Sequence, residues 1–153
     1  MLTQPLLDKL SQLHLSGFRA ALEEQLGNPQ YAELSFEERL VLLVDVKTTR
    51  RANNSLKRRI RAARFPLSAT MEDLDLSAAR GLSRAQVLQL AQSEWVSRQL
   101  NILILGATGA GKTYLACALA NRACRMGFSA FYIRIPKLFH DLAMAKADGS
   151  YSK

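Results

Sequence analysis

The chain has 153 residues, 48% hydrophobic and 22% charged, a balance that excludes a disordered polar tail and leaves room for one domain, or for one small domain with part of another. Its net charge of +8 and pI near 9.9 favour an anionic partner, nucleic acid above all. No apolar run approaches a membrane span, and Met1-Leu2-Thr3-Gln4-Pro5 lacks the basic-then-apolar pattern of a secretory signal, so a cytoplasmic protein with no membrane partner is expected.

The first third predicts helices. Leu6, Leu7, Leu10, Leu13 and His14 follow helical spacing until Gly17 interrupts them, and Phe18, Ala21, Leu22 and Leu26 continue as a second short helix stopped by Gly27-Asn28-Pro29. Ser35 followed by Glu38 is a capping box that opens a new helix, with Leu40, Leu42, Leu43 and Val46 as its apolar content.

Beyond Asp45 this helix changes character. From Lys47 to Arg64 there are eight basic residues (Lys47, Arg50, Arg51, Lys57, Arg58, Arg59, Arg61, Arg64) and no acidic one. At about 100° per residue, all but Arg59 fall within a stripe about 140° wide, with Ala52, Leu56, Ile60 and Ala63 opposite. Unbroken from Phe36 to Arg64 the helix would be about 43 Å long, and Asn53-Asn54 is the expected place for a kink. A solvated charged face is the usual source of such a stripe, but solvated helices intersperse acids with bases to gain i,i+4 pairs. Bases without acids repel one another unless an anion neutralises them. Contact with DNA phosphates is therefore expected at Lys47, Arg50, Arg51, Lys57, Arg58, Arg61 and Arg64, with no base-specific readout implied.

Phe65-Pro66 ends the basic helix. Residues 67–82 are mixed, with Leu74, Leu76 and Leu82 as apolar anchors. Ser83 and Gln86 form a second capping box before a short helix through Val87, Leu88 and Leu90. Trp95 and Val96 follow in a helical turn, where the indole reads as packing rather than base stacking.

Asn101-Ile102-Leu103-Ile104-Leu105 then reads as a buried strand and Tyr114 to Met126 as a helix. Between them, Gly106-Ala107-Thr108-Gly109-Ala110-Gly111-Lys112-Thr113 fits the G-x-x-x-x-G-K-[ST] phosphate-binding loop without a mismatch. The bland alternative is a glycine-rich turn that merely lets a strand pack close to a helix. The turn, however, aims several N–H groups at one spot where the helix N-terminus adds partial positive charge, and a polyphosphate is the natural occupant. Lys112 is expected to reach the β- and γ-phosphates and the Thr113 hydroxyl to ligate Mg²⁺, while Thr108 and Ala110 offer only their amides. A dinucleotide-binding G-x-G-x-x-G fails on spacing.

Cys117 and Cys124 share a helix face at a spacing that matches no zinc motif and forbids a disulfide, so buried thiols are expected. His14 and His140 stand apart from any cluster. Gly127 marks a helix end, residues 129–135 read as a second strand, and Pro136 opens a last helix with Leu138, Phe139, Leu142, Ala143 and Met144 as apolar positions. No apolar run ends in an acid able to help hold Mg²⁺ and orient water. Glu94, Asp141 and Asp148 lack that context, so no catalytic residue is assigned and nucleotide binding, rather than turnover, is what these residues support.

Several segments, in order, resemble the IstB-type helper ATPases of insertion-sequence transposition, which are related to DnaC-like helicase loaders. They are Leu34 to Leu40 leading into the basic helix, Ala62 to Pro66, Leu74 to Leu82, Gln99 to Leu103 with the loop, Leu115 to Ala120, and Ala147 to Tyr151. The resemblance implies an α/β fold: an incomplete P-loop NTPase domain of AAA+ type preceded by an all-helical N-terminal region. The expected layout is a helical DNA-binding region over 1–66, a connector over 67–100 and the N-terminal part of the ATPase domain over 101–153. It further implies ATP and Mg²⁺ as cofactors, and DNA and a transposase as partners. A homo-oligomer is expected in the full-length form. The alternatives are a DnaC-like helicase loader and a non-hydrolysing DNA-binding fragment. Ala107 stands where the family commonly has proline, which leaves backbone phosphate contacts undisturbed. Family members continue for roughly another hundred residues, an extension carried by the resemblance and not by domain-size rules. A truncated product or fragment is therefore expected, with unpaired backbone at the strands.

Overall fold

The computed structural model describes residues 3–76 and 81–151. Ser77-Ala78-Ala79-Arg80, part of the stretch 74–82 that carries the resemblance, lies outside the described residues. The described helices are α1 (Thr3–Gln12), α2 (Ser16–Gly27), α3 (Phe36–Ala63), α4 (Arg84–Ala91), α5 (Glu94–Ser97), α6 (Lys112–Arg125) and α7 (Ile135–Ala147). A 3-10 helix, Pro29–Glu33, separates α2 from α3.

The α/β architecture expected for the AAA+-like P-loop region is corrected: among the described residues there is no strand and no sheet. The expected strand at 101–105 shows a strand's periodicity without its pairing. Ile102 and Ile104 are half-buried, whereas Leu103 and Leu105 are 81% and 85% exposed, the two-residue alternation of extended backbone. A strand also needs a neighbour for its N–H and C=O groups. The second expected strand does not supply one. Its Tyr132 amide donates instead to the carbonyl of Ala63 at the end of α3, at 2.8 Å, and its last residue, Ile135, opens α7.

Two compact units divide the chain, Met1–Ser55 and Leu56–Lys153. In the first, Leu7, Leu10, Leu22 and Leu43 are buried together, and Leu15, Phe18 and Ala21 pack around them. The break between α1 and α2 falls at Leu13-His14-Leu15, where His14 takes a φ of 55°, and not at Gly17. Gly17 is instead a buried residue of α2. A Cβ there would meet Arg50 Cδ at 2.9 Å, the flexible end of an arginine of α3 that lies across the glycine. The Gln25 amide group donates to the Arg39 carbonyl at 3.0 Å and ties the same two helices.

Helix α3 opens on the expected capping box: Ser35 N donates to Glu38 Oε2 at 2.8 Å and Glu38 N to Ser35 Oγ at 3.2 Å. It runs through Asn53-Asn54 without a break and ends at Ala63, because Arg64 adopts a φ of 54°, incompatible with a further helical turn.

The second unit is built around α6, whose Leu115, Cys117, Ala118, Leu119, Ala123 and Cys124 are buried. Phe65, Leu67, Met71, Leu74, Tyr114 and Tyr132 pack about the Ala69, Cys117 and Ala118 cluster. The second capping box, Ser83 with Gln86, starts α4 as expected, and Arg122 Nε donates to the Ala91 carbonyl at 3.2 Å. Gly127 ends α6 at a φ of 102°, with Phe128 N bonded to the Ala123 carbonyl and Gly127 N to that of Cys124, the paired bonds of a Schellman motif. Helix α7 starts with Pro136 in its first turn and buries none of its residues.

Candidate functional site

The loop that precedes α6 is shaped by its glycines. Gly109 and Gly111 take φ values of 81° and 86°, which a residue bearing a Cβ adopts only at a cost. Ala110 N closes a turn onto the Ala107 carbonyl at 3.3 Å. Gly111 is the N-cap of α6 and brings no side-chain hydrogen bond. The first bond of the helix runs from Leu115 N to the Gly111 carbonyl at 3.0 Å, so the amides of Gly111, Lys112, Thr113 and Tyr114 have no acceptor within the helix. The first turn holds no acidic residue, and the macrodipole adds positive potential at the same point.

Lys112 folds back over this loop. Its Nζ donates to the Gly106 carbonyl at 2.9 Å and to the Ala107 carbonyl at 2.6 Å, which brings the ammonium from the start of α6 back to the start of the loop. Thr108, Gly109, Ala110 and Thr113 are exposed. All eight residues of the motif are thus contiguous in space as well as in sequence.

A cavity of about 550 Å³ adjoins the loop. Leu74, Leu76, Leu82, Val87, Ile102 and Ile104 give it apolar walls, and Gly106, Ala107, Gly111 and Lys112 form its polar edge. The three leucines read from the sequence as anchors are therefore walls of a cavity next to the phosphate loop. Leucine content alone does not distinguish a covered core from a lined cavity, so only the structure reveals the recess.

The basic residues are placed less uniformly. Lys47, Arg50 and Arg51 belong to the first unit, and Lys57, Arg58, Arg61 and Arg64 to the second. Arg50, Arg51, Lys57, Arg58 and Arg61 are exposed and Lys47 is half-buried. Among the described residues no carboxylate lies within ion-pair distance of Lys57, Arg58 or Arg61. Arg59, the base outside the stripe, is half-buried and donates from Nε to the Cys124 carbonyl at 2.9 Å. Arg64 leaves the helix and lies over the ring of Phe131, 5.6 Å from its centroid.

Cys117 and Cys124 are buried free thiols, and burial pushes both above the ordinary thiol range, so neither is poised as a nucleophile or metal ligand. Among the described residues no group of His, Cys, Asp and Glu could hold a metal ion, and no helix is long and apolar enough to cross a membrane.

Comparison with known proteins bears on this geometry. The chain is 43% identical over 154 residues to a protein of Pseudomonas fluorescens described as an ATP-binding protein of insertion sequence IS1162; the match takes in all of this chain and 67% of that protein. It is 39% identical over 153 residues to an insertion-sequence ATP-binding protein of Sinorhizobium fredii, again along the whole chain and across 62% of the relative. With an insertion-sequence ATP-binding protein of Mycobacterium tuberculosis the identity is 32% over 144 residues, 94% of this chain and 57% of the relative. The chain thus spans between 57% and 67% of the length of these relatives. The model of the IstB-like ATP-binding proteins matches residues 8–153, and the chain belongs to that family.

Proposed function

We propose that this chain binds the triphosphate of ATP at residues 106–113, and that it serves insertion-sequence transposition as an ATP-dependent helper that engages DNA and a transposase. The single observation that carries the nucleotide reading is the convergence of the Gly111, Lys112, Thr113 and Tyr114 amides with the Lys112 ammonium at one end of α6. Free amides, a helix N-terminus and a lysine complement a polyphosphate and little else. The apolar cavity beside the loop supplies room for the base and sugar. Thr113, exposed in the first helical turn, carries a hard oxygen of the kind Mg²⁺ accepts, and the ion when bound neutralises phosphate charge. Within this chain, Lys112 would exchange its loop carbonyls for phosphate oxygens, and the loop amides would orient the triphosphate.

The DNA reading rests on the exposed bases of α3. Such contacts are independent of base sequence and weaken steeply with salt. The partner reading rests on the relatives, which are described as proteins of insertion sequences.

Calorimetry with Mg·ATP tests the first point: binding is expected for the wild type and its loss for Lys112→Ala at unchanged helical content. Identical heats for the two proteins would overturn it. For DNA, Arg58→Glu with Arg61→Glu should lower the salt slope of duplex binding by about two, near one unit per lost phosphate contact. Pull-down against the transposase of the same insertion sequence and against a replicative helicase separates helper from helicase loader.

A further inference from the structure

We infer that Phe131 and Arg64 form a stacking platform for an unpaired DNA base at the end of the basic helix. The platform is assembled by two inward-facing neighbours. Tyr132 is half-buried and packs with Phe65 against the Ala69, Cys117 and Ala118 cluster, while its amide is held by the Ala63 carbonyl at 2.8 Å. Side chains adjacent in extended backbone point in opposite directions. Tyr132, anchored inward, therefore turns Phe131 outward, while the left-handed turn at Arg64 carries that side chain off the helix just before the anchored Phe65. Arg64 is exposed and Phe131 is 60% exposed.

The two outward groups meet. The Arg64 guanidinium lies 5.6 Å from the Phe131 centroid, within cation–π range. The left-handed φ of 54° at Arg64 ends α3 and takes this base out of the helical row. A guanidinium plane beside a phenyl ring offers two π-faces next to positive charge, the chemistry that receives a nucleobase. Lys57, Arg58 and Arg61 are exposed on the last turns of α3 in the same unit, so a backbone tracked by those bases leads to the ring. Their charge argues against an apolar protein partner. In an intact duplex each base is already stacked on both faces, so the platform suits single-stranded, gapped or kinked DNA.

This inference rests on the DNA reading of the basic helix, and the test keeps the two apart. Binding of the 153-residue chain is measured by fluorescence anisotropy to a labelled duplex and to the same duplex carrying a three-nucleotide gap, with 2-aminopurine in the gap reporting stacking. The wild type is expected to prefer the gapped DNA and to quench the 2-aminopurine. Phe131→Leu, which keeps apolar bulk, should lose about tenfold in gapped-DNA affinity and the quench, with duplex affinity unchanged. Phe131→Trp should retain both. If duplex binds with the expected salt slope but Phe131→Leu behaves as wild type, the platform is overturned and the basic helix stands. If neither DNA binds, the basic-helix reading is overturned and the platform with it. A concentration-dependent rise in oligomeric state that Phe131→Leu abolishes would assign the ring to a second copy and overturn the platform.

Discussion

Arg59 Nε donates to the Cys124 carbonyl at 2.9 Å, joining α3 to the last turn of the helix that begins at the phosphate loop. The one base whose angle falls outside the stripe is thus occupied by the protein itself. Cys124 also accepts from Gly127 N, so loss of the arginine leaves no orphaned carbonyl. Arg59→Met, which keeps the aliphatic stem, is expected to lower stability by about 1–2 kcal/mol, read from the urea midpoint. Its DNA salt slope should equal that of the wild type, in contrast to changes at Arg58 and Arg61.

The C-terminus of α6 depends on Gly127, whose φ of 102° lies outside what an L-residue readily adopts although open space surrounds it. Gly127→Ala should therefore destabilise by about 1 kcal/mol through backbone strain alone. Thermal unfolding followed by circular dichroism measures it, and an unchanged midpoint would show that the turn relaxes.

The alternation at 101–105 sets up a paired comparison. Leu103→Gln and Leu105→Gln alter side chains already 81% and 85% exposed and should change stability by less than about 0.5 kcal/mol. Ile102→Ala and Ile104→Ala remove half-buried side chains, and each should cost about 1–2 kcal/mol. Equal effects on both pairs, read from urea midpoints, would contradict the two-residue period.

Acid should weaken the start of α3. The Glu38 carboxyl is held below its ordinary range first by the Ser35 amide and then by the Ser35 hydroxyl. A carboxylate whose folded pKa is depressed stabilises the protein above its unfolded pKa, and that contribution is lost as pH falls through the folded value. Glu72 and Asp148 are lowered too, the first chiefly by its own backbone amide and the second by the Ser150 side chain, so the useful measure is a difference. The stability gap between wild type and Glu38→Gln should be open at neutral pH and close below the ordinary glutamate range. A gap of constant size from pH 7 to pH 3 would place the effect elsewhere.

Much of this architecture is legible along the chain because it is made by neighbours. The boxes at Ser35/Glu38 and Ser83/Gln86 each link residues three apart, and both are present with the expected partners. The loop from Gly106 to Thr113 is contiguous, so its spacing alone carries the expectation of phosphate binding. Gly17 misleads as a helix breaker because it sits buried inside α2, beneath the side chain of Arg50, 33 positions away.

The sequence by itself determined the caps and the odd angular position of Arg59, since each follows from periodicity or from bonds within a helical turn, and it spells out the loop motif from Gly106 to Thr113. The tertiary structure alone decided that residues 101–105 and 129–133 form no strand, that Arg64 turns off the helix toward Phe131, and that three scattered leucines wall a cavity. Those outcomes depend on which distant backbone and side chains arrive as partners. A strand's periodicity can be written in five residues, but its hydrogen bonds belong to a neighbour.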